Sequence, residues 1–538
     1  MSTSILDVPP PIWHSILAFA APEYRYESVP EKMSLPLLLL RSLIASSPAW
    51  IPLLQPLVHA FHTAALDFAV TTTGVDEVHA LQRLVQQRHG SLRCLSLRFE
   101  PSAMLCDVEA PIDPAWHAVF AACPRLERLE ISGISARSPV FQSVLDAAAA
   151  NCRVLQALAL CENVEDVAPE TRRRHIVVPI HRVLQVWRSA RTLRQLRLPS
   201  SMLAVDDGYG DDLLRDIVQC APNVEFLDAW RSSYSEYSRI ECSERLWCTS
   251  AAWSAFSQTC SSLRELNWVM FPISNARLAT FGNSRKPLLE SLTFAGVERP
   301  SLTIDGSDAE SLTDYDTEGL KSALRACPNL KSLRVVFDMG MSSLVSVPRQ
   351  RHWGDAFLQA VARSCSRLRE LSIVELNGGV NNIPIPLETI TDDGVMALAA
   401  LPELISIELK ASRCTPRGVF ELLVTAPTSG PPRMIKMDVG CLFVEGFVED
   451  ESDDPEVITF YDFVSGLLHR LHQEDVGAEF STRRFEVLLI NKSRRDPDTA
   501  EWRAGLETLR QKLSTRVKVS LHEEDGRLDQ LKIHSEMS

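Results

Sequence analysis

Apolar residues recur along this chain in one short phrase, Leu-x-x-Leu-x-aliphatic, often with a cysteine three residues ahead of the first leucine. It appears as ACPRLERLEIS, NCRVLQALAL, CSSLRELNW, ACPNLKSLRVV and CSRLRELSI. Aligned on the first apolar position, the blocks begin at Leu92, Leu126, Leu155, Leu193, Val224, Leu263, Leu289, Leu330, Leu368, Leu404, Met434 and Phe485, at intervals of 26 to 51 residues. Each block ends in alternating apolar and polar positions, as in Leu158 and Leu160, which is the period of a short strand. Between blocks the apolar period changes to that of a helix. DTEGLKSALRACPNL offers Asp316 and Thr317 as caps and places Leu320, Ala323, Leu324 and Cys327 on one face, and TDDGVMALAALPEL repeats this with Thr391 as the cap.

One strand and one helix cannot cover their own apolar edge. Stacked units can, because the leucines of each strand meet those of its neighbours beneath a parallel ribbon. Burying the three main apolar side chains of a unit contributes about 5–9 kcal/mol before chain entropy is subtracted. The cysteine then falls at the helix end as a small buried hydrophobe. The expected fold class is therefore α/β, a curved parallel ribbon with outer helices. These units resemble leucine-rich repeats, in particular the cysteine-containing type common in F-box proteins. ACPNLKSLRV and ITDDGVMALAALPELISIEL carry that resemblance, and LQALALCEN matches the Leu-x-x-Leu-x-Leu-x-x-Asn form with Asn163. The resemblance implies a leucine-rich-repeat solenoid of about twelve irregular units over residues 66–535.

Residues 1–65 do not follow the repeat. VPPPIWHSILAFAAP starts a helix at its prolines and sets Ile12, Ile16, Leu17 and Ala20 on one face. The run from Ser34 to Leu66 supplies a second apolar helix, a Ser46-Ser47-Pro48 break and an aromatic-led helix from Trp50. This stretch resembles a divergent F-box of the form found in many mushroom-type fungal proteins. Val8-Pro9-Pro10 takes the place of Leu-Pro-Pro, Ile12-Trp13 and Ile16-Leu17 follow, and Trp50 and Pro56-Leu57 fall where that pattern has them. Pro11 stands where the family has Glu, and EYRYESVPEKMS is an insert. The resemblance implies that Val8, Pro9, Ile12, Trp13, Ile16, Leu17, Trp50 and Pro56 bind a Skp-type adaptor and, through it, a cullin scaffold. The same residues at the end of a repeat stack serve equally as its N-terminal cover.

On a repeat strand, places three, five and seven point away from the leucines. In the unit starting at Val224 these are Phe226, Asp228 and Trp230, flanked by Gln195 and Arg197 on one side and Glu265 and Asn267 on the other. Aromatics around a carboxylate, beside charged neighbours, have the composition of a binding hot spot. Arg197, Phe226, Asp228, Trp230, Glu265 and Asn267 are accordingly the expected contacts with a protein substrate, the alternative being that the insert RSSYSEYSRIECSERLW covers Phe226 and Trp230.

The remaining features narrow the class. A net charge of −14 over 538 residues argues against binding nucleic acid through its phosphates. The 45% hydrophobic content and a mean hydropathy of −0.02 fit a folded chain, and LPLLLL is too short to span a bilayer. MSTSILDV lacks the features of a secretory leader, and thirteen cysteines without one Cys-x-x-Cys pair fit reduced thiols, so a cytoplasmic or nuclear location is expected. EDESDD at Glu449–Asp454 reads as a solvated acidic loop and TRRRH at Thr171–His175 as a solvated basic one. GYGDD fits a turn into a helix capped at Asp211. His469 and His472 have helical spacing but no ligand partner in the sequence, so no metal and no cofactor are expected. No phosphate loop, Gly-x-Ser-x-Gly or His-Glu-x-x-His occurs. The resemblances imply a non-catalytic substrate receptor of an SCF-type ubiquitin ligase. A scaffold that does not bind the adaptor and a GTPase-activating repeat protein are the alternatives, and no residue stands out for the second.

Overall fold

A computed structural model describes residues 64–70, 75–88, 90–99, 115–134, 139–161, 184, 191–198, 209–229, 248–269, 275–298, 317–339, 354–377, 390–409, 414–439, 460–473, 483–491, 500–513, 517–524 and 527–535. The adaptor-binding positions expected at Val8, Pro9, Ile12, Trp13, Ile16, Leu17, Trp50 and Pro56 lie outside these residues, as do Trp230, the TRRRH stretch and the acidic EDESDD stretch. The chain forms two compact units, Met1–Leu263 and Arg264–Ser538.

The described part of the first unit alternates strand and helix. Its strands are β1 (Ala65–Val70), β2 (Cys94–Phe99), β3 (Arg128–Ser132), β4 (Ala157–Cys161), β5 (Gln195–Arg197) and β6 (Phe226–Ala229). Its helices are α1 (Val75–Gln87), α2 (Ala115–Ala121), α3 (Pro139–Asn151), α4 (Tyr209–Cys220) and α5 (Ser250–Thr259). Each strand pairs in parallel with the next, and the register brings Leu66, Leu95, Leu129, Leu158, Leu196 and Leu227 into one row. From Leu95 onward these leucines have no accessible surface. The row is the packing that the repeated spacing demands, since unpaired leucine stripes would face water.

The second unit contains β7 (Glu265–Val269), α6 (Asn275–Gly282), β8 (Ser291–Glu298), α7 (Thr317–Arg325), β9 (Ser332–Met339), α8 (Asp355–Ser364), β10 (Glu370–Asn377), α9 (Asp392–Ala399), β11 (Ser406–Leu409), α10 (Pro416–Val424), β12 (Arg433–Val439), α11 (Phe460–Gln473), β13 (Phe485–Asn491), α12 (Ala500–Leu513), β14 (Val517–Glu524) and β15 (Arg527–Ser535). Leu266, Leu292, Leu333, Leu371, Ile407, Ile435 and Val487 form one buried row across its parallel strands. Beyond β13 the pattern changes. β15 pairs antiparallel with β13, and β14 antiparallel with β15. The parallel repeat therefore ends at Asn491 rather than near residue 535. The two-residue link between β14 and β15 returns the chain directly and leaves no room for the crossover helix that a parallel pair requires.

The opening cysteine has a defined place. Leu126 N–H donates to Cys123 O, Leu155 to Cys152, Leu330 to Cys327 and Leu368 to Cys365, closing the turn from helix into strand. The thiols donate back along their helices, Cys123 to Val119 O at 3.4 Å and Cys327 to Ala323 O at 3.3 Å. Burial pushes the thiols of Cys327 and Cys365 up to about 12. A hydrogen bond with Cys123, and then burial, also raises that of Cys152. Neutral thiols sealed in this way are poor nucleophiles. In the unit starting at Leu289 a lysine replaces the cysteine. Lys286 is fully buried, with its ammonium folded back onto Phe281 O at 2.9 Å, Ser284 O at 2.8 Å and the Phe281 ring at 4.1 Å. The orphan carbonyls of a helix end, with their negative partial charge, stabilise that cation.

Successive helices of the second unit are tied by a carboxylate relay. Asp355 opens α8 and accepts from Thr391 N at 2.8 Å, Thr391 Oγ1 at 2.6 Å and Gly394 N at 3.1 Å. Asp392 opens α9 and accepts from Thr415 N at 2.7 Å, Thr415 Oγ1 at 2.5 Å and Gly418 N at 3.2 Å. Thr391 and Thr415 cap α9 and α10, as the sequence led us to expect for Thr391. Glycine is required at the third helical place because a Cβ at Gly394 would overlap the Asp355 carboxylate, and one at Gly418 would lie 2.6 Å from Asp392 Oδ1. The same device joins α4 to α5 in the first unit, where Asp211 accepts from Thr249 N at 2.5 Å and Oγ1 at 2.8 Å. That helix begins at Tyr209, so Asp211 acts from inside the first turn instead of capping it.

Candidate ligand-binding face

The leucine rows are buried, so the places that could meet a ligand are those on the other side of each ribbon. In the first unit the register builds two cross-strand rows there. Arg128, Ala157, Gln195 and Phe226 form one, and Glu130, Ala159, Arg197 and Asp228 the other. Arg128 Nη1 donates to Gln195 Oε1 at 3.0 Å although β4 lies between their strands. It crosses above Ala157, whose methyl leaves the path open over two strand spacings of about 4.8 Å. Arg128 Nη2 is 3.5 Å from Glu130 Oε2, and Arg197 Nε is 4.0 Å from Asp228 Oδ2. Two guanidiniums and two carboxylates thus balance within one cluster, as buried charges require.

This cluster corrects the exposure expected from the sequence. Gln195, Arg197, Phe226 and Asp228 do lie together on the side away from the leucines, but all are buried, Asp228 with 0% and Arg128 with 3% of its surface accessible. In the second unit Glu265 and Asn267 share one strand, with Asn267 Nδ2 donating to Glu265 Oε1 at 3.4 Å, and both are buried as well. In-register parallel strands hold like places so close together that long side chains lie over their neighbours, which alternation alone does not reveal.

The corresponding side of the second unit opens toward its C-terminal strands. Glu370 on β10 is exposed, and Glu408 on β11 accepts from Ser372 Oγ at 2.8 Å and pairs with Lys436 of β12 at 3.1 Å. Met434 of β12 is 40% exposed and faces Glu486 of β13, while Leu488 and Ile490 of β13 are half-buried opposite Lys436 and Asp438. Glu486 of β13 pairs with Lys532 of β15 at 2.6 Å, and Lys518 of β14 is exposed beyond. The sequence placed these strands in the wrong phase. Met434 occupies the third place of its unit, opposite Ser406, not the buried first place. Counting from Phe485 pointed Leu488 inward, yet the register buries Val487 and Leu489, and a slip of one residue exchanges the two faces.

Arg433, the residue before Met434, is a further buried cation that sequence reasoning missed. It donates to Leu404 O at 2.9 Å, Leu422 O at 2.8 Å and Thr425 Oγ1 at 2.8 Å, gathering the buried carbonyls at the end of α10 and in the turn after α9. Burial pushes its guanidinium down to about 10, still charged at neutral pH. Among the described residues no group of three or more His, Cys, Asp or Glu is placed to hold a metal, and His469 and His472 are exposed on α11. No helix in the described residues is long and apolar enough to cross a membrane.

No family model matches the chain, and no curated protein matches it. Among matching solved structures is a chain from the crystal structure of the Rad7 and Elc1 complex in yeast. It is 14% identical, with 85% of this chain and 98% of that chain covered, at a TM-score of 0.40. A likeness that slight carries no argument; the repeat architecture stands on the strand registers and buried leucine rows given above.

Proposed function

We propose that this chain is the substrate-recognition subunit of an SCF-type cullin-RING ubiquitin ligase and carries out no covalent chemistry itself. The observation that carries the reading is an F-box-like pattern, Val8-Pro9-Pro10 with Ile12-Trp13, Ile16-Leu17 and Trp50, placed directly ahead of a strand-and-helix repeat. The sequence pattern there predicts three short helices, which would bury little surface alone, so apolar Ile12, Trp13, Ile16 and Leu17 favour a partner. A Skp-type adaptor fits that role and links the chain to a cullin. Among the described residues, the side of the ribbon away from the leucines includes exposed Glu370, Met434, Lys518 and Lys532 in the second unit, a surface suited to a folded protein or a segment of one. Holding both partners raises the local concentration of target lysines near the ubiquitin-loaded enzyme, which is a gain in proximity alone.

Co-expression with a Skp-type adaptor tests the reading. The parent chain is expected to carry the adaptor through affinity purification, and the double substitution Trp13→Ala, Ile16→Ala to lose it. A parent chain that purifies without adaptor, while its repeat units are folded, favours a scaffold instead.

A further inference from the structure

We propose that the rim of the first unit where the chain turns from helix into β3, β4 and β5 docks an extended, carboxylate-rich segment of a partner protein, held by Arg125, Arg153 and Arg191. The inference rests on the reading of this chain as a substrate receptor and adds the chemistry by which a substrate is recognised. All three arginines are exposed. Arg125 stands three residues ahead of Arg128, and Arg153 and Arg191 stand four ahead of Ala157 and Gln195, which share one register across the three strands. Gln156 N–H donates to Glu127 O and Arg194 N–H to Gln156 O, both at 2.8 Å, so the turns stay stacked up to the rim. The arginines therefore follow one another at strand spacing, about 4.8 Å per step.

The neighbouring charges on this rim are engaged, Arg93 with Glu127 at 3.7 Å and Arg194 with Glu225 at 2.8 Å. Asp146, further back on α3, accepts from Gln142 Nε2 at 2.7 Å. Among the described residues, the guanidiniums of Arg125, Arg153 and Arg191 have no hydrogen-bond or ion-pair partner. Compensation of helix ends does not account for the row, because the arginines that serve backbone carbonyls here reach them, Arg88 to Ala65 O at 2.6 Å and Arg93 to Arg125 O at 3.2 Å. Arg191 carries a second sign. Among the described residues it alone is a non-glycine with a left-handed φ, +47°, whereas Arg153 at the same place one turn earlier has none. That conformation is disfavoured for a side chain, and strain of this kind collects at ligand clamps.

Chemistry selects the occupant. Five arginines (Arg93, Arg125, Arg153, Arg191 and Arg194) against two glutamates (Glu127 and Glu225) leave an excess of three positive charges. The three free ones form a line of about 10 Å. A single phosphoryl group is a compact dianion and leaves the ends of such a line unmatched. An extended peptide advances about 3.4 Å per residue, so three or four acidic residues span it, each carboxylate taking a guanidinium fork. A nucleic acid strand would also be linear, but the net charge of −14 repels a long polyanion. Unpaired bases further call for aromatic platforms, and none of the aromatic side chains described in this unit is exposed. Val154, 43% exposed beside Arg153, offers an apolar contact to a peptide side chain.

The test uses the full chain at low salt and a fluorescein-labelled peptide with the core Glu-Glu-Leu-Glu-Glu, read by fluorescence anisotropy. A peptide with the core Gln-Gln-Leu-Gln-Gln is expected to bind about tenfold more weakly or less. The triple variant Arg125→Gln, Arg153→Gln, Arg191→Gln should weaken the glutamate peptide by about tenfold or more at an unchanged melting temperature. Arg83→Gln, Arg285→Gln, Arg367→Gln removes the same charge at exposed positions elsewhere and should leave the affinity within about threefold. Arg191→Gly, which suits a left-handed φ, should keep or raise the melting temperature while weakening the peptide. No binding of the glutamate peptide, equal losses in the two triple variants, or a lower melting temperature of the first triple variant with unchanged affinity would overturn the proposal. So would tighter binding of a peptide with one phosphoserine in place of the glutamates, which would assign the rim to a phosphoryl group. Tighter binding of a single-stranded oligonucleotide, abolished by the first triple variant, would overturn it in favour of nucleic acid. None of these readouts involves the adaptor, so failure here and failure of adaptor co-purification are separate results.

Discussion

Asp392 supplies a sharp test of how neighbouring repeats are coupled. Replacing it by alanine removes three acceptor contacts at once, to Thr415 N, Thr415 Oγ1 and Gly418 N, at 2.7, 2.5 and 3.2 Å. A hydrogen bond to an ionised group contributes about 1.5–3 kcal/mol when buried. These three are partly exposed, so about 1 kcal/mol each is appropriate, about 3 kcal/mol together. A global melting point averages over both compact units, so it dilutes a local effect. Native-state hydrogen exchange resolves it, because first-turn helix amides are normally unprotected and here Asp392 protects two of them. The account expects the Thr415 amide to exchange on the order of 100-fold faster in Asp392→Ala, the factor that about 3 kcal/mol implies, and the Gly418 amide, which keeps its bond to Thr415 O at 3.2 Å, to change less. Asp393→Ala, at the exposed neighbour, should change them by less than threefold. Comparable exchange in the two variants would refute the relay.

Two further outcomes follow from the buried cations and thiols. Arg433→Met keeps volume but strips Leu404 O and Leu422 O of their donor, and should lower stability by about 3 kcal/mol in urea unfolding; a variant as stable as the parent contradicts the assignment. Cys327 and Cys365 are raised to about 12 in the folded chain, so their contribution is whole below the unfolded thiol range near 8.5–9 and is lost as pH rises toward 12. Urea stability should therefore fall between pH 9 and 12 more steeply in the parent than in a Cys327→Ala, Cys365→Ala variant, and parallel slopes would rule the thiols out as the cause.

The repeat was legible because it obeys one local rule. Each of the twelve blocks coincides with one strand from β2 to β13, and the leucines at places four and six of most blocks are in the core. The rule failed where a strand lacked its markers. At β12 and β13 no cysteine and no leading leucine fix the phase, and Val-Leu-Leu-Ile in β13 suits either face. Ala65 and Leu66 read as the tail of an apolar helix, yet pairing with Cys94 and Leu95 makes them a strand. The face opposite the leucines was located correctly at Gln195, Arg197, Phe226 and Asp228, but the sequence left open whether Phe226 is covered and gave no sign that Gln195, Arg197 and Asp228 are buried. Accessibility there depends on how Arg128 crosses β4 to Gln195, a contact spanning 67 residues. The Asp392–Thr415 relay was half legible: Thr391 declared itself as a cap, whereas the partner of Asp392 lies 23 residues onward in the next unit.

The central claim, that an F-box-like module makes this repeat protein a ligase receptor, is tested most directly by the mass of the purified full-length chain co-expressed with a Skp-type adaptor. Native mass spectrometry should give the sum of one chain and one adaptor for the parent, and the chain alone for Trp13→Ala, Ile16→Ala. A parent chain that remains at its own mass of 60.0 kDa in the presence of excess adaptor would contradict it.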